Sequence, residues 1–355
     1  MRLSLHPYRL PLSAPLTLKS VEHTHRDGTL VRLEDAAGRV GWGDCAPLPG
    51  FSRETLADAT GQLGALATWA EGHEPSPAWA DLYGALHREV DTLGLVPSAR
   101  FGLDLALFDL AAQATGKTLA SVMHPDPEVT VPVNALLVGQ ADAVQTEAAR
   151  FVASGYRTLK LKVGRAGLDE EIALVRALSE RFPATALRLD ANQAWTAEEA
   201  MAFAEGIAGC ALDYIEEPLR NPDDLPVLWF DTQLPIALDE SLAETEPAGL
   251  QGKGWAAAVV LKPTLLGGVA RTLRFAAQAR ALGIRPVLSG AFESGVGMRG
   301  NLALAAAAGG HPAGLDPYNR LASDVLVPRL RLDRPTVDVP AFFRTEHEVV
   351  TSQPA

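Results

Sequence analysis

Lys160 and Lys162 are separated by one residue, Leu161, near the end of a short apolar run, residues 158–163. In a strand, the period of two turns both ammonium groups to the same side. Like charge and removal from water both disfavour a protonated amine, so we predict that the two lysines lower each other's pKa. Lys162, nearer the end of the run, is then a candidate base near neutral pH. An isolated Lys-x-Lys is more often a surface pair around a core leucine, so its context must decide.

Three carboxylates, Asp190, Glu216 and Asp239, end the next three predicted strands. Any one of them alone is more often a helix N-cap or a loop residue, and only their regular placement suggests a site. Three anions at one rim require a cation. An all-oxygen set without histidine or thiolate favours Mg²⁺, with Mn²⁺ as a substitute, and disfavours zinc.

Lys262 ends the following strand, nearly opposite Lys160 and Lys162 around a ring of eight strands. A base on one side can remove a weakly acidic proton beside a carboxylate if a metal and an opposing ammonium group stabilise the resulting enediolate. The pattern therefore predicts acid/base chemistry on a small carboxylate substrate.

Other polar residues lie close to these strand ends. We predict that they orient the metal ligands or bind substrate, and they are Arg188, Asn192, Glu217, Glu240, Ser289, Gly290 and Glu293. A structural role remains open for each. Arg188 is as well suited to pairing with a neighbouring carboxylate as to contacting substrate. Backbone and hydroxyl groups of residues 289–290 and 293–294 could donate hydrogen bonds to a second carboxylate of the substrate, and a plain strand-to-helix turn is equally plausible.

The spacing of these ends indicates the elements that must hold them. From Lys162 to Asp190, Glu216, Asp239, Lys262 and Ser289 the steps are 28, 26, 23, 23 and 27 residues, each about one βα unit. The predicted strands are residues 131–137, 158–163, 186–190, 214–217, 236–239, 258–262, 285–289 and a weak one near Gly314. We predict an α/β fold with a (β/α)8-type barrel. A doubly wound sheet would want a glycine-rich loop after its first strand, and residues 136–141 hold one glycine.

Residues 2–42 alternate in short apolar segments punctuated by turns, which predicts an antiparallel meander. Helical periodicity follows over residues 54–70 and 99–113, the second ended by Gly116. We predict an α+β capping domain over residues 1–122 and a barrel domain over residues 123–316. The tail, residues 317–355, is expected to return to the N-terminal sheet and complete the cap.

Composition narrows the class of protein. The 355 residues carry a net charge of -12 with scattered lysines and arginines, which excludes nucleic acid as a favoured partner. The two cysteines suggest neither a disulfide framework nor a zinc site. Residues 1–16 lack the apolar core of a signal peptide, and no run is long enough for a membrane span. We expect a cytoplasmic enzyme with a small-molecule partner. The sequence leaves open whether it forms a homo-oligomer.

Together these residues resemble the enolase superfamily, specifically its muconate-lactonising subgroup. The motifs that carry the resemblance are Asp190-Ala-Asn-Gln-Ala-Trp195, Ile215-Glu-Glu-Pro218, Asp239-Glu-Ser241 and Lys262-Pro-Thr264. Within the subgroup the whole chain is similar to the o-succinylbenzoate synthase family. The segments that show this are Arg26-Asp-Gly28, Gly41-Trp-Gly43, Pro47-Leu-Pro-Gly-Phe-Ser52 and Phe292-Glu-Ser294.

The resemblance implies a modified barrel under an α+β cap and a Mg²⁺-dependent syn elimination of water that yields o-succinylbenzoate for menaquinone biosynthesis. It implies that Lys162 serves as base and then as acid, that Lys262 stabilises the enediolate, and that Lys160 tunes Lys162. Asp190, Glu216 and Asp239 would hold the metal, and Arg188 matches a family arginine. Cap loops near residues 18–25 and 50–52 would close over the ligand.

Two alternatives stay open. An N-acylamino acid racemase or dipeptide epimerase of the same subgroup would use the same lysines and carboxylates, although residues 290–294 lack the Asp-x-Asp typical of dipeptide epimerases. The other alternative is a binding protein on a decayed barrel, which would have no reason to keep both lysines and all three carboxylates.

Overall fold

A computed structural model describes residues 1–18, 21–74 and 84–351. The chain forms an antiparallel cap followed by a parallel barrel, as predicted. The cap sheet has the order β1-β2-β3, with β1 (Arg2–Leu18), β2 (Val21–Glu34) and β3 (Val40–Cys45). The predicted meander is thus confirmed. The loop expected at residues 18–25 is wrong in extent, because residues 21–25 already belong to β2 and pair with β1. Residues 19–20 lie outside the described part.

The helices of the cap follow its sheet. They are α1 (Leu56–Gly64), α2 (Ala67–Glu71), α3 (Ala85–Thr92), α4 (Pro97–Thr115) and α5 (Leu119–Met123). The single helix predicted over residues 54–70 is wrong, since the chain breaks after Gly64, a residue of low helix propensity. The second predicted helix is confirmed as α4, which starts with proline at its first position and ends at left-handed Gly116 (φ 63°).

The barrel strands run parallel in the order β11-β10-β9-β8-β7-β6-β5. After β4 (Thr130–Pro132), the barrel strands are β5 (Ala135–Leu137), β6 (Thr158–Lys162), β7 (Ala186–Asp190), β8 (Leu212–Glu216), β9 (Ile236–Leu238), β10 (Ala258–Leu261) and β11 (Arg285–Leu288). The helices between and after them are α6 (Ala141–Ala153), α7 (Leu168–Arg181), α8 (Ala197–Gly206), α9 (Leu225–Thr232), α10 (Pro263–Leu266), α11 (Val269–Ala281) and α12 (Gly295–Ala307).

The weak eighth strand forms single parallel bridges that close the ring. Ala313 pairs with Val133, which precedes β5, and Gly314 pairs with Ser289, which follows β11. The two bridges thus join the first and last strands of the sheet. The first strand, predicted as one run over residues 131–137, is divided. Its start, β4, leaves the barrel to pair antiparallel with β13 (Thr336–Asp338). Pro132 has no N–H to continue a ladder, which is consistent with the division.

Strand alternation separates the barrel interior into layers. Tyr214, Ala237, Ala258, Val260 and Val287 pack together as an apolar cluster inside the ring. Because side chains two residues apart in a strand point the same way, the polar residues at the strand ends lie above this cluster. This apolar layer therefore lies directly beneath the charged residues.

Buried polar contacts fasten the cap to the barrel. The Asp44 carboxylate accepts hydrogen bonds from the Ser294 N–H and hydroxyl, both at 2.8 Å, and from the Tyr8 hydroxyl at 2.7 Å. Arg26 in β2 donates to the carbonyl oxygen of Phe292 at 3.1 Å. The loop after β11 and the start of α12 are thus held against the cap sheet.

The tail contains β12 (Leu326–Val327), β13, α13 (Val339–Arg344) and β14 (Glu348–Val349). Leu321 bridges Leu12 of β1, and the Ala322 N–H donates to the Pro11 carbonyl at 2.8 Å. The tail thus contacts the cap sheet near residues 320–322 and the barrel through β13. The proposed division at residues 122 and 317 stays a prediction. Within the described ranges, every helix is too short or too polar to cross a bilayer.

The packing of β3 on α4 leads to a stability prediction. A Cβ on Gly43 would lie 1.8 Å from the Gly102 carbonyl oxygen, a backbone atom that cannot turn aside. We expect Gly43→Ala to lower the free energy of unfolding by about 2 kcal/mol or more in urea titrations. Gly61→Ala in α1, where a Cβ meets open space, is the matched control and should stabilise by roughly 0.5–1 kcal/mol. Equal midpoints for the two variants would contradict this account of the β3–α4 contact.

Candidate active site at the carboxyl ends of the strands

The barrel brings the predicted lysines and carboxylates to one rim. Lys162, Asp190 and Glu216 are consecutive partners in the register of β6, β7 and β8. Asp239 and Lys262 directly follow β9 and β10. Around the closed ring of eight strands, β10 is the fourth strand from β6 in either direction, so Lys262 faces Lys162 across the mouth of the barrel.

Short ion pairs link these side chains. The Lys160 ammonium group lies 2.6 Å from Glu216 Oε2 and 2.7 Å from Asp190 Oδ2. Lys162 donates to Asp190 Oδ2 at 2.6 Å and to Asn192 Oδ1 at 2.7 Å. Lys262 pairs with Asp239. Asp190 and Glu216 are almost fully buried, so the charges compensate one another with little help from water.

The pKa values of the two lysines of β6 are shifted in opposite directions. Burial lowers the pKa of Lys162 below its ordinary value, and the Lys160 ammonium adds to this against the opposing Asp190 carboxylate. Although burial also favours a neutral Lys160, the carboxylates of Asp190 and Glu216 raise the pKa of Lys160 well above its usual range. The predicted mutual lowering is therefore right for Lys162 and wrong for Lys160, because Lys160 has two carboxylate contacts.

The carboxylates also diverge. Burial favours the neutral acid at Asp190, yet Lys160 and Lys162 hold the pKa of Asp190 far below its usual range. Burial, reinforced by the charge on Asp190, raises the pKa of Glu216. Burial likewise raises the pKa of Asp239 against the opposing charge of Lys262. Burial therefore opposes ionisation of Glu216 and Asp239, whereas the lysines keep Asp190 ionised.

The residues at the rim fit a hard divalent cation in charge and donor type. Asp190, Glu216, Glu217, Asp239 and Glu240 are five carboxyl groups against three lysines. Among the described residues, Glu216 Oε1 and Glu240 Oε2 are buried oxygens without a hydrogen-bond partner. As the described side chains stand, no three acidic, histidine or cysteine groups are placed to hold one ion. The ammonium groups of Lys160 and Lys262 lie against the oxygens that an ion would need, so binding would have to displace them.

Three of the predicted orienting residues contact the site. Asn192 joins Lys162 to Glu240 by donating from Nδ2 to Glu240 Oε1 at 3.0 Å. Glu217 Oε1 accepts hydrogen bonds from the N–H groups of Asp239 and Ser241, each at 2.9 Å. Glu217 itself has a left-handed backbone (φ 41°), which is strained for this residue type. These bonds fix the turn that carries Asp239.

Arg188 lies one layer below the rim and is fully buried. Its Nε donates to Asp213 Oδ2 at 2.7 Å and its Nη1 to the Pro312 carbonyl at 2.6 Å, while its guanidinium stacks over the Tyr214 ring. Asp213 also pairs with Arg285. Two roles were considered for Arg188, a contact with substrate and a pair with a neighbouring carboxylate. In the structure it has the second role, because it pairs with Asp213 inside the barrel.

The three residues predicted after β11 separate into two groups. Ser289 and Gly290 line the cavity above the lysines. Glu293 is buried behind it, where its carboxylate accepts from the Thr264 hydroxyl at 2.7 Å and from the Ala291 N–H at 2.6 Å. The Glu293 contact with Thr264 was missed in the sequence, because nothing in the spacing indicates which loops pack together.

The cavity at the rim has a volume of about 250 Å³. Apolar side chains form much of its wall, namely Leu16, Leu18, Leu48, Phe51, Leu136, Val138 and Leu265. Leu18 and Phe51 fall in the cap segments that were expected to close over the ligand, and sequence reasoning did not assign the others. Leu16 and Leu18 come from β1, and the Phe51 ring lies 5.8 Å from Lys262 Nζ. The cap therefore supplies one wall. His23 and His25 line a separate cleft on the cap.

Comparisons with known proteins agree with this architecture. Residues 1–110 match the family model described as MenC, N-terminal domain, and residues 143–342 match the model described as Enolase C-terminal domain-like. The chain is similar to o-succinylbenzoate synthase of Vibrio cholerae, with 33% identity over 305 residues, covering 83% of this chain and 82% of the relative.

Two further comparisons extend over nearly the whole chain. The o-succinylbenzoate synthase of Edwardsiella ictaluri is 31% identical over 331 residues, covering 91% of this chain and 92% of the relative. A dipeptide epimerase from Enterococcus faecalis, complexed with Mg and the dipeptide L-Leu-L-Tyr, has a TM-score of 0.83 at 24% identity, covering 95% of this chain and 96% of that chain. The latter likeness shows the fold.

The buried pair below the rim gives a second stability prediction. Asp213→Ala leaves the Arg188 guanidinium buried without its carboxylate, and we expect a loss of about 3 kcal/mol in urea unfolding. Asp231→Ala, at an exposed position in α9, is the matched control and should change stability by less than about 0.5 kcal/mol. If Asp213→Ala proved as stable as the control, Arg188 would not depend on this partner.

Proposed function

The chain belongs to the o-succinylbenzoate synthase family of the enolase superfamily, and on this premise we propose that it catalyses that dehydration itself. The reaction is the syn elimination of water from 2-succinyl-6-hydroxy-2,4-cyclohexadiene-1-carboxylate, which gives 2-succinylbenzoate for menaquinone biosynthesis. It would make the enzyme a Mg²⁺-dependent carbon-oxygen lyase. The observation that carries the proposal is geometric: Lys162 and Lys262 lie on opposite sides of one mouth, and Asp190, Glu216 and Asp239 end the strands between them.

We propose that Asp190, Glu216 and Asp239 hold Mg²⁺, with Mn²⁺ as a substitute. The oxygen-only donor set, the excess of carboxylates and the unpartnered Glu216 Oε1 support this assignment. When bound there, the cation neutralises charge that develops on the substrate carboxylate. Lys160 and Lys262 must then exchange carboxylate contacts for contacts with substrate.

Lys162 would remove the proton from the ring carbon that bears the carboxylate. A neutral amine is required, and burial together with the neighbouring Lys160 favours that form. Asn192 Oδ1, 2.7 Å from the Lys162 nitrogen, directs the side chain and stabilises the ammonium group once the proton has arrived. The first half of the reaction thus ends with charge on Lys162.

Lys262 would stabilise the enediolate from the opposite side of the mouth. Although burial favours a neutral amine, the carboxylates of Asp239 and Glu240 raise the pKa of Lys262, and the resulting ammonium group is the one that would turn from them to the enediolate. The carboxylates of Asp190 and Glu216 likewise raise the pKa of Lys160 against the effect of burial, and its positive charge contributes to the potential around Lys162. Each lysine therefore has a separate electrostatic task.

The second half returns the proton. The Lys162 ammonium group would donate to the departing hydroxyl on the adjacent ring carbon, which leaves as water while the electron pair of the enediolate completes the aromatic ring. Lys162 is neutral again, and one residue on one face serves both steps, as a syn elimination requires. No other acid is needed.

A racemase or epimerase acting on N-acylamino acids or dipeptides is the second candidate. The likeness to the dipeptide epimerase and the presence of lysines on both faces favour it. Racemisation would also require Lys262 to exchange a proton, whereas the two relatives compared above, 33% and 31% identical, are o-succinylbenzoate synthases. We therefore place the dehydration first.

The proposed base can be tested by turnover. We expect Lys162→Ala to lower kcat at least about a thousandfold, measured as loss of the diene's ultraviolet absorbance with Mg²⁺ present. Lys117→Ala, at an exposed position in the cap, is the control and should stay within about twofold of wild type. Retained turnover in Lys162→Ala would exclude this lysine as the base. A folded, Mg²⁺-supplied wild type that leaves the diene unchanged would overturn the function and direct the search to deuterium exchange into N-acylamino acids.

The proposed metal site can be tested by calorimetry in the absence of substrate. We expect Glu216→Gln to weaken Mg²⁺ binding at least about tenfold, because it removes one anionic ligand from the cluster. Glu205→Gln, exposed in α8, keeps the same loss of charge away from the rim and should bind as wild type does. Circular dichroism checks that both variants fold. Equal Mg²⁺ affinity in the two variants would remove Glu216 from the site.

A further inference from the structure

The cavity at the rim is graded in polarity from floor to mouth. Lys160, Lys162, Asp190 and Lys262 form the charged floor, and leucines from the cap and the barrel form a belt above it. Arg165, Asp316 and Arg320 also line the cavity. Neither arginine belongs to the lysine–carboxylate network, and the dehydration proposed above gives neither a task.

Arg165 follows β6 by three residues, in the loop that carries Lys162 toward α7. The Glu171 carboxylate accepts from the backbone N–H groups of Gly164, Arg165 and Ala166 at 2.8, 2.8 and 3.0 Å, which holds this loop. The Arg165 side chain is exposed, and within the described ranges no carboxylate forms an ion pair with it. Its backbone is thus fixed while its charge is available to a ligand.

Arg320 lies on the other side of the first barrel strand. Its backbone carbonyl accepts from the Ser13 hydroxyl at 3.1 Å, and the next residues of the tail pair with Leu12 and Pro11 of β1. The same strand supplies Leu16 and Leu18 to the cavity wall. The position of Arg320 is therefore tied to the part of the cap that covers the site.

Strand β5 lies between the two arginines. Leu136 of this strand and Val138, which directly follows it, contribute to the cavity wall. Asp316 is the carboxylate that accompanies them, and burial raises the pKa of Asp316 against the opposing charge of Arg320. Two arginines against one acidic group leave an excess of positive charge at this edge. A ligand whose far end is anionic fits it better than one that ends in an ammonium group.

We infer that Arg165 and Arg320 together bind the distal carboxylate of the substrate's succinyl arm, and so determine which acyl chains the enzyme accepts. This inference rests on the proposed function. The ring carboxylate would lie at the lysine floor, the methylene carbons along the leucine belt, and the second carboxylate between the two guanidinium groups. Arginine suits this task because it donates to a carboxylate through two N–H groups at once.

The test compares two ligands that differ in that carboxylate alone. 2-Succinylbenzoate ends in a carboxylate, and 2-butyrylbenzoate has a methyl group in its place. Their dissociation constants are measured by calorimetry on the Mg²⁺-loaded enzyme for wild type, Arg165→Met, Arg320→Met and Arg165→Lys. We expect each methionine variant to weaken binding of 2-succinylbenzoate about fivefold and to leave 2-butyrylbenzoate unchanged. Arg165→Lys should recover part of the loss.

Arg181→Met is the control, because Arg181 ends α7 at an exposed position outside the cavity lining. It should bind both ligands as wild type does. Equal weakening of both ligands by Arg165→Met and Arg320→Met, or no weakening of either, would overturn the role of the arginines. Turnover of the diene by wild type is followed in parallel. Its absence would count against the proposed function, whereas normal turnover with unselective variants would count against this inference alone.

Discussion

Everything at the barrel mouth depends on keeping several charges out of water at once. Removing a carboxylate or an ammonium group from solvent costs several kcal/mol, and a buried pair recovers this only with close and well-directed contacts. Lys160 illustrates the solution, since it contacts both Asp190 and Glu216 within 2.7 Å. Those contacts require the parallel register of β6, β7 and β8. The strands thus hold the charges in the positions in which the charges tolerate one another.

The cap is part of the same arrangement. A charged floor that opened directly to water would be screened, and its lysines would return toward ordinary behaviour. Leu16 and Leu18 from β1 and Phe51 from the cap loop cover it with apolar surface. Hydrogen bonds from Ser294 and Tyr8 to Asp44 keep that cover in place. The apolar cover that the cap supplies and the buried charges of the barrel therefore depend on each other.

Much of the candidate active site was predictable from the sequence, because the carboxyl ends of all strands in a parallel barrel lie at the same rim. Lys162, Asp190, Glu216, Asp239 and Lys262 needed only the period of two and the βα spacing to be placed at one rim. The rest depends on contacts between elements distant in sequence. Asp213 pairs with Arg188 from a neighbouring strand, and Lys160 acquires two carboxylates where only a second lysine was foreseen. Position along the chain does not reveal such partners, and it also concealed the break in the first strand.

The single bridges at Ala313 and Gly314 close the barrel with the last part of the chain that takes part in the ring. A growing polypeptide cannot complete this closure until that segment has left the ribosome. Until then β5 and β11 are both open edges, with unpaired N–H and C=O groups and apolar faces. The bridge from Val133 to Ala313 also joins residues far apart in sequence, which makes ring closure a slow step by the usual relation between topology and folding rate. During synthesis the chain thus passes through an interval in which the incomplete sheet presents two open edges to other chains.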